Sequence, residues 1–283
     1  MARYELMKLK KIAGGGQAEI YALDEGRVLR VMRNPDDAGL LQREMISMQA
    51  LFRQGVHVPE VFGLTEADGR PALVMQRIDG VSMMEIIRRE PFGMKRHAEK
   101  LAELQAGLSK CKAPEGAVSS VSMARHFLDN NAALTYEQKK FLKELIDGLP
   151  EGDSLLHGDF QPGNVLVSGG KSYLIDWVRA SRGQVISDIA HTYILMKSVP
   201  RIPGVSVFRY FLMRFAGNAL SRSYLNAVKK HFDFDEALFS KWMAVNAMER
   251  LCFGFPSEKK RLLVFIENCR TNRNNVKGWY KKI

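Results

Sequence analysis

The hydrophobic pattern changes character near residue 80 of the chain. Before that point, short β-like apolar runs alternate with Gly, Asp and Asn turn residues and predict strands at 4–13, 18–23, 26–33, 59–66 and 69–77. Residues 36–55 differ, because their apolar residues recur at three- and four-residue steps: Leu40, Leu41, Met45, Met48 and Leu51. Acidic residues open this segment and Gly55 ends it, so it predicts one amphipathic helix among the strands.

From Ser82 onward the pattern predicts mainly helices. Helical periodicity covers residues 94–110 and 135–149, and the second segment opens with Thr135 and Gln138 at the spacing of a capping box. Further helices are predicted near 185–198, 204–231, 234–251 and 257–271. The sequence shows no internal repeat and no low-complexity linker, which indicates a small β-rich part followed by a larger helical part.

The exception in the helical part is residues 155–177, LLHGDFQPGNVLVSGGKSYLIDW. Two short β-like runs, NVLV and SYLID, are separated by Ser168, Gly169 and Gly170. We therefore predict a loop, a strand, a tight turn and a second strand. Such a hairpin would bring Asp176 back beside Asn164.

Three polar side chains of this segment suit metal-assisted phosphoryl transfer. That reaction needs a carboxylate to orient the attacking hydroxyl group and hard oxygen ligands to hold Mg²⁺ on the phosphates. We interpret Asp159 as the base, and Asn164 and Asp176 as the magnesium ligands. The alternative is a polar turn followed by a strand end, with Asn164 as a cap.

The segment resembles the catalytic loop of the aminoglycoside phosphotransferase and choline kinase branch of the protein-kinase-like fold. His157, Asp159 and Asn164 match the H-x-D-x-x-x-x-N pattern, and Asp176 matches the metal Asp that follows about a dozen residues later. The resemblance covers nearly the whole chain and is weakest after about residue 200. It implies an α+β, bilobal fold, with a nucleotide-binding N-lobe at 1–79 and a C-lobe at 80–283 that carries the catalytic loop and the acceptor-binding helices. It also implies that His157 braces the loop rather than acting in the chemistry.

The same resemblance assigns a phosphate-binding end to the N-lobe. A turn at Gly14, Gly15 and Gly16 would let backbone N–H groups approach the phosphates. Arg30 stands where the family has a phosphate-binding Lys, and Glu44 of the predicted helix would be its partner. Because Arg has a bulkier, planar head group, this departure affects the expected strength of nucleotide binding more than its location. The alternatives are a flexible turn, an exposed Arg and a solvent-facing Glu.

Residues 72–83, ALVMQRIDGVSM, resemble the hinge between the two lobes of the family. Met75 would be the gatekeeper, and the carbonyl of Gln76 and the N–H of Ile78 would bond the adenine edge. Trp177 and Val178 replace the Phe-Gly pair of protein kinases, and no long activation segment follows. The family also implies that Asp188 supports the catalytic loop by hydrogen bonding. A capping or surface role for Asp188 stays open.

Charge and composition narrow the class of protein. The 283 residues include 42 Lys and Arg against 31 Asp and Glu, and the net charge of +11 falls entirely after Ala180. A cationic surface favours an anionic partner, although a solubilising surface with counter-charge for the nucleotide is the simpler interpretation. Basic clusters at 258–261 and 270–283, the second with Trp279 and Tyr280, could stack on bases or meet a membrane interface. The alternatives are a solvated helix face and a tail packed by its aromatic residues.

No apolar segment has the length of a membrane span, and the N-terminus has no apolar signal region, so a cytoplasmic protein is expected. Three widely spaced cysteines fit neither a disulfide framework nor a zinc site, so reduced thiols are expected.

We therefore expect a small-molecule kinase that uses ATP or GTP with Mg²⁺ and phosphorylates a hydroxyl group of a neutral or anionic metabolite. An aminoglycoside acceptor is disfavoured by the few acidic residues after Ala180. The sequence is also compatible with a nucleotide-binding regulatory protein with weak catalysis, or with a kinase that acts on proteins or is attached to nucleic acid.

Overall fold

A computed structural model describes residues 3–201, 204–253 and 256–283 of the chain. The chain divides into two compact units. The first comprises Met1–Arg89, Ala113–Ala117 and Pro162–Ala180, and the second comprises Glu90–Lys112, Val118–Gln161 and Ser181–Ile283. The lobe bounds of 1–79 and 80–283 stay a prediction.

The first unit is built on a six-stranded sheet with the strand order β1-β5-β6-β4-β3-β2. Only the pairing of β1 with β5 is parallel. The strands are β1 (Arg3–Tyr4), β2 (Lys10–Gly14), β3 (Ala18–Ala22), β4 (Arg27–Met32), β5 (Val61–Ala67) and β6 (Arg70–Gln76). The predicted strand at 4–13 is wrong in one respect, because a 3-10 turn at Leu6–Lys8 interrupts it. This turn directs Leu6 into the hydrophobic cluster on one face of the sheet.

The two faces of this sheet have different coverings. Tyr21, Leu29 and Val31 belong to the cluster that Leu6 joins. Because side chains alternate along a strand, Arg30 points to the opposite face. Helix α1 (Ala38–Arg53) covers that face, as the Arg30 to Glu44 contact shows. The buried residues of α1 are Leu41, Glu44, Ser47, Met48 and Leu51.

The predicted hairpin is confirmed. Strands β9 (Val165–Ser168) and β10 (Lys171–Leu174) are antiparallel, and Gly169 and Gly170 between them have φ angles of +55° and +74°. Two consecutive positive φ angles give the two-residue turn that matches the twist of a hairpin, and glycine adopts them without strain. Strand β7 (Val81–Ser82) pairs with the outer edge of β9 and completes a three-stranded sheet.

Gly80, just before β7, is required by close packing. A Cβ atom at this position would lie 2.8 Å from the carbonyl oxygen of Val167. The Ser168 hydroxyl also donates to the carbonyl of Asp79 at 2.7 Å. The segment that follows the sixth strand is therefore fixed directly to the hairpin, and helix α2 (Met83–Arg89) continues from β7.

The second unit is mainly helical. Its helices are α3 (Met94–Leu108), α4 (Ser120–Asp129), α5 (Tyr136–Asp147), α6 (Val185–Lys197), α7 (Val207–Val228), α8 (Glu236–Phe253) and α9 (Pro256–Thr271). Strands β8 (Ser154–Leu156) and β11 (Ser181–Gly183) form an antiparallel pair. The capping box of Thr135 and Gln138 is confirmed at the start of α5. None of the described helices is long and apolar enough to cross a membrane.

The C-terminal tail is packed by its aromatic residues, which was the alternative to a role in stacking on bases or meeting a membrane interface. Trp279 is 1% exposed and meets Phe141 edge-on, and Tyr280 meets Phe239. Residues 258–261 are not a uniformly solvated helix face. Glu258 is buried there, with Arg250 at 2.8 Å and Arg261 at 3.7 Å.

Candidate active site

A buried ion cluster in the first unit joins three of the residues that the sequence singled out. Arg30 Nε lies 3.0 Å from Glu44 Oε2, and Arg30 Nη2 donates a 2.7 Å hydrogen bond to Asp176 Oδ1. The side chains of Arg30 and Glu44 are 10% and 1% exposed. The predicted pairing of Arg30 with Glu44 is therefore present, and the alternative of an exposed Arg and a solvent-facing Glu is wrong.

The sheet and the hairpin together position this cluster. Arg30 lies opposite Leu73 and Ile20 in the strand register. On the hairpin, the backbone N–H of Ile175 donates to the carbonyl of Asn164 at 3.0 Å, so the chain that follows β10 passes directly beside Asn164. Asp176, the next residue, lies beside Asn164 as predicted.

Asp176 adopts a backbone conformation that is unusual for a residue with a side chain. Its φ angle is +66°, in the left-handed region. The neighbouring Trp177 is fully buried, and its backbone N–H donates to Glu44 Oε1 at 3.1 Å. Such strain persists only when the surroundings fix it, and it is concentrated at functional positions. Glu44 thus holds both Arg30 and the backbone that carries Asp176.

The charges of this cluster are mutually dependent. Burial raises the pKa of Glu44 to about 6, although Arg30 opposes the shift. Burial also disfavours the charged form of Arg30, but Glu44 and Asp176 outweigh it and the pKa of Arg30 rises. The guanidinium is therefore held charged between two carboxylates at neutral pH.

The residues interpreted as metal ligands fit a divalent cation of the magnesium type. Asn164 and Asp176 supply an amide and a carboxylate oxygen, the hard ligands that Mg²⁺ takes while keeping several waters. Asp176 is 37% exposed and uses Oδ1 for Arg30, which leaves Oδ2 for a metal ion. Among the described residues there is no group of three or more His, Cys, Asp or Glu side chains that could hold a metal. A site here would therefore depend on few protein ligands.

Asp159 lies in the second unit, in the loop after β8. Both of its carboxylate oxygens accept from the amide of Gln161, each at 3.1 Å. Its own backbone N–H donates to Nδ1 of His157 at 3.3 Å, and His157 is fully buried. A buried ring that accepts a backbone N–H braces the loop, in agreement with the structural role expected for His157.

Asp188 supports this loop from helix α6, as predicted. Its carboxylate accepts the backbone N–H of Gly158 at 2.9 Å and of His157 at 3.2 Å, and the amide of Gln105 at 3.3 Å. Asp188 is 3% exposed, which rules out a surface role. Burial raises the pKa of Asp188 although these donors stabilise the carboxylate.

The glycine turn connects β2 and β3 as predicted. The N–H of Gly15 donates to the carbonyl of Ala18 at 2.9 Å, and Arg33 Nε donates to the carbonyl of Gly15 at 2.9 Å. Gly15 and Gly16 do not have positive φ angles, and a Cβ atom on either would meet no protein atom within 4 Å. Packing within the chain therefore does not require glycine at these two positions.

The residues predicted as the hinge follow directly from β6. Met75 is 9% exposed and lies opposite Val28, so it shares the face of the sheet that carries Arg30. The N–H of Gln76 donates to the carbonyl of Glu60 at 2.7 Å, and the N–H of Arg77 to that of Gly26 at 2.8 Å. Within the described residues, the N–H of Ile78 has no hydrogen-bond acceptor.

Two glutamines that the sequence did not single out contact the loop residues. Gln161 holds Asp159, and Gln105 joins Asp188 to the hydroxyl of the fully buried Tyr224. Gln161 follows Asp159 by two residues, so proximity could have suggested it. Gln105 is 83 positions from Asp188, and no local pattern marks it.

A cavity of about 410 Å³ in the second unit lies at the other end of β8 from the loop that carries Asp159. Its lining includes Asp153, Ser154, Phe232, Asp233 and Asp235. Asp153 pairs with Arg182, and Asp235 caps the start of α8. Because Asp159 follows the far end of the strand, this cavity is separate from the residues interpreted as catalytic.

Comparisons with known proteins place the chain in a phosphotransferase class. The model of the phosphotransferase enzyme family matches residues 8–222, so the chain belongs to that family. It is a phosphotransferase with a hydroxyl group as acceptor. A search of curated proteins finds no match.

Solved structures confirm the protein-kinase-like α+β fold at low sequence identity. A thermostable mutant of aminoglycoside phosphotransferase APH(4)-Ia is 14% identical, with a TM-score of 0.62 and 95% of both chains covered. The amicoumacin kinase hAmiN, in complex with AMP-PNP, Ca²⁺ and Ami, is 12% identical, with a TM-score of 0.62. The match covers 97% of this chain and 91% of the kinase. A choline/ethanolamine kinase family protein from Mesorhizobium loti is 14% identical, with a TM-score of 0.60. The match covers 97% of this chain and 92% of that protein. Further matches are complexes with GDP and kanamycin and with ADP and hygromycin B.

Proposed function

We propose that this phosphotransferase moves the terminal phosphoryl group of ATP or GTP to a hydroxyl group of a small neutral or anionic metabolite. The observation that carries the proposal is the buried cluster of Arg30, Glu44 and Asp176. A permanently charged guanidinium beside a partly exposed carboxylate suits a nucleotide whose phosphates carry a metal ion. Solved relatives of the same fold hold AMP-PNP, ADP or GDP, which supports a nucleotide donor.

In this proposal the first unit binds the nucleotide. Gly14, Gly15 and Gly16 would present backbone N–H groups to the phosphates, and the open space beside Gly15 and Gly16 supports that use. Arg30 would bind the phosphates while Glu44 holds its side chain in place. The free N–H of Ile78 and the carbonyl of Gln76 would bond the base, with Met75 behind it.

Asn164 and Asp176 would hold Mg²⁺, which when bound neutralises charge on the transferring phosphates. The chemistry of the acceptor belongs to Asp159. Its carboxylate would orient the acceptor hydroxyl and take its proton as that oxygen bonds to the terminal phosphorus and the bond to the departing nucleoside diphosphate breaks. Gln161 would fix the direction of this carboxylate before the acceptor arrives.

A neutral or anionic acceptor is inferred from the charge distribution. Of the 31 Asp and Glu residues, only seven follow Ala180, and Asp188 and Glu258 among them are buried in contacts of their own. A polycationic acceptor requires several free carboxylates. The antibiotics held by solved relatives are therefore controls in a screen rather than the expected substrates.

The test is formation of ADP or GDP by the full chain with Mg²⁺ and a panel of hydroxyl compounds: sugars, polyols, phosphorylated sugars, and kanamycin as the cationic control. Asp159→Asn should lower acceptor-dependent turnover about 100-fold or more, because it removes the base. Asp153→Asn, which changes a carboxylate 84% exposed on the same unit, is the matched control and should keep full turnover. Equal turnover in wild type and Asp159→Asn would overturn the assignment of the base.

A further inference from the structure

The first two turns of helix α7 expose a continuous apolar surface. Five side chains are 53% to 75% exposed although all are large and apolar: Val207, Phe208, Phe211, Leu212 and Phe215. Successive helical residues are rotated by about 100°, so these five occupy one arc of about 140°. We call this arc the α7 apolar face. Three exposed phenylalanines on one face exceed the scattered single apolar residues of an ordinary surface.

The rest of α7 is anchored in the second unit. Its buried residues are Leu220, Ser221, Tyr224, Leu225, Ala227 and Val228. Gly217 marks the crossing with α6, where a Cβ atom would lie 2.4 Å from the carbonyl oxygen of Met196. The helix is therefore held by its second half, and the α7 apolar face projects from the anchored part already folded. Binding to this face would not have to order a disordered segment.

Cations flank the α7 apolar face on both sides. On the helical wheel, Arg209 lies about 60° beyond Leu212, and Arg214 lies about 20° before Val207. Among the described residues, no carboxylate pairs with Arg209 or Arg214. Burial, and after it the charge of Arg214, lowers the pKa of Arg261 of α9. Residues 189–232 contain seven Lys and Arg residues and no Asp or Glu.

The cations beside the α7 apolar face favour an anionic lipid surface over a second copy of the chain as its partner. A second copy of the chain, joined through the same face about a two-fold axis, would bring Arg209 and Arg214 of both copies together with no acid of the segment between them. An anionic lipid surface instead complements both features. An interfacial helix buries Phe and Leu at the boundary of head groups and acyl chains while flanking Arg and Lys side chains meet the anionic head groups.

We propose that the α7 apolar face is a docking surface for an anionic phospholipid bilayer, on which the protein lies peripherally. Phe208, Phe211 and Phe215 enter the acyl boundary, and Arg209 and Arg214 bind the head groups. This proposal does not depend on the proposed catalytic function.

The test is flotation of the full chain with large unilamellar vesicles of phosphatidylcholine alone or with about 30% phosphatidylglycerol, chosen to give an anionic surface potential. We expect binding to the anionic vesicles that weakens as salt increases, and little binding to phosphatidylcholine alone. Phe208→Ser combined with Phe215→Ser should lower the partition coefficient about tenfold or more. Phe92→Ser, which changes a fully exposed phenylalanine of the same unit, is the matched control and should bind as wild type does.

The charge contribution is tested separately. Arg209→Gln combined with Arg214→Gln should lower binding to anionic vesicles about fivefold for each cation removed. Lys140→Gln with Lys143→Gln, two exposed cations of α5, should have little effect. No flotation with anionic vesicles at low salt, or equal binding by the Phe208→Ser, Phe215→Ser variant, would overturn the proposal. It would also be overturned if the protein dimerises without binding vesicles and the same variant abolishes the dimer in sedimentation equilibrium, because the face would then join two copies.

Discussion

Arginine at position 30 contacts two carboxylates with different atoms of one planar group. Its Nε faces Glu44 and its Nη2 donates to Asp176. A lysine ammonium is a single point of charge, whereas the guanidinium offers donors in two directions from a fixed plane. Arg in place of the Lys that the family resemblance leads us to expect therefore keeps the cation and lets it reach Glu44 and Asp176 at the same time. Nucleotide binding has to proceed with this contact in place or displace it.

Removing Arg30 should destabilise the fold, because Glu44 would be left 1% exposed without its cation. Arg30→Ala is expected to lower the free energy of unfolding by about 3 kcal/mol, the typical result of breaking a buried ion pair from one side. Urea denaturation followed by circular dichroism measures this. Arg27→Ala is the matched control, since Arg27 begins the same strand and pairs with Asp24 at the surface, where pairs contribute about 1 kcal/mol or less. Equal losses in the two variants would contradict a buried pair.

Glu19 should produce acid sensitivity in the first unit. Lys11 and Arg70 hydrogen bond to its carboxylate and, although burial opposes them, lower the pKa of Glu19 to about 2. A carboxyl group with a lowered folded-state pKa stabilises the fold above its ordinary pKa of about 4.5 and loses that contribution as the pH falls toward 2. The difference in urea midpoint between wild type and Glu19→Gln should therefore be constant from about pH 7 to 5 and shrink below about pH 4.5. A difference that is independent of pH would show that the ion cluster does not form.

At the scale of elements, the sequence predicted the long helices and most strands because their periodicity is strong, and the hairpin because of its two glycines. It did not predict the break at Leu6, because that turn is set by the packing of Leu6 into the hydrophobic cluster on the face of the sheet opposite to Arg30. The bounds of α2 and α4 were also missed, since seven and ten residues give too few turns for a clear period. Tertiary contacts decide such short segments.

Two helical glycines should respond to alanine in opposite directions. Gly217→Ala would place a Cβ atom 2.4 Å from the carbonyl oxygen of Met196, so α6 and α7 must separate. We expect a loss of about 1 to 3 kcal/mol in the free energy of unfolding, as for other overpacked sites. Gly107→Ala, near the end of α3, meets no atom within 4 Å and should add about 0.5 kcal/mol through helix propensity. Thermal or urea unfolding of both variants measures the contrast, and a neutral Gly217→Ala would contradict the close crossing.

Across the whole molecule, the sequence singled out candidate site residues but not the distant contacts that hold them in place. The H-x-D-x-x-x-x-N spacing and the hairpin pointed to Asp159, Asn164 and Asp176, whose catalytic and metal-binding roles stay predictions. The contacts of Gln105 with Asp188 and Tyr224 join residues more than 80 positions apart, which no local pattern encodes. The left-handed backbone at Asp176 was equally hidden, because Asp does not mark a positive φ angle as Gly does.

The exposed apolar face of α7 is also a property of the whole molecule. Its sequence has the composition of a core helix, and only the fold shows that this face of the first two turns is exposed. An anionic bilayer would cover this face, and the net charge of +11 after Ala180 would favour such a partner.

We expect the first unit to bind a nucleotide through Arg30 and a metal ion held by Asn164 and Asp176. The most direct measurement is calorimetric titration of the full chain with AMP-PNP and GMP-PNP, with and without Mg²⁺, for wild type, Asp176→Asn and Asp159→Asn. We expect wild type and Asp159→Asn to bind at least one nucleotide in the micromolar range with Mg²⁺ and about tenfold or more weakly without it, and Asp176→Asn to lose the magnesium dependence. No binding of either nucleotide to wild type, or unchanged magnesium dependence in Asp176→Asn, would contradict this mode of nucleotide binding.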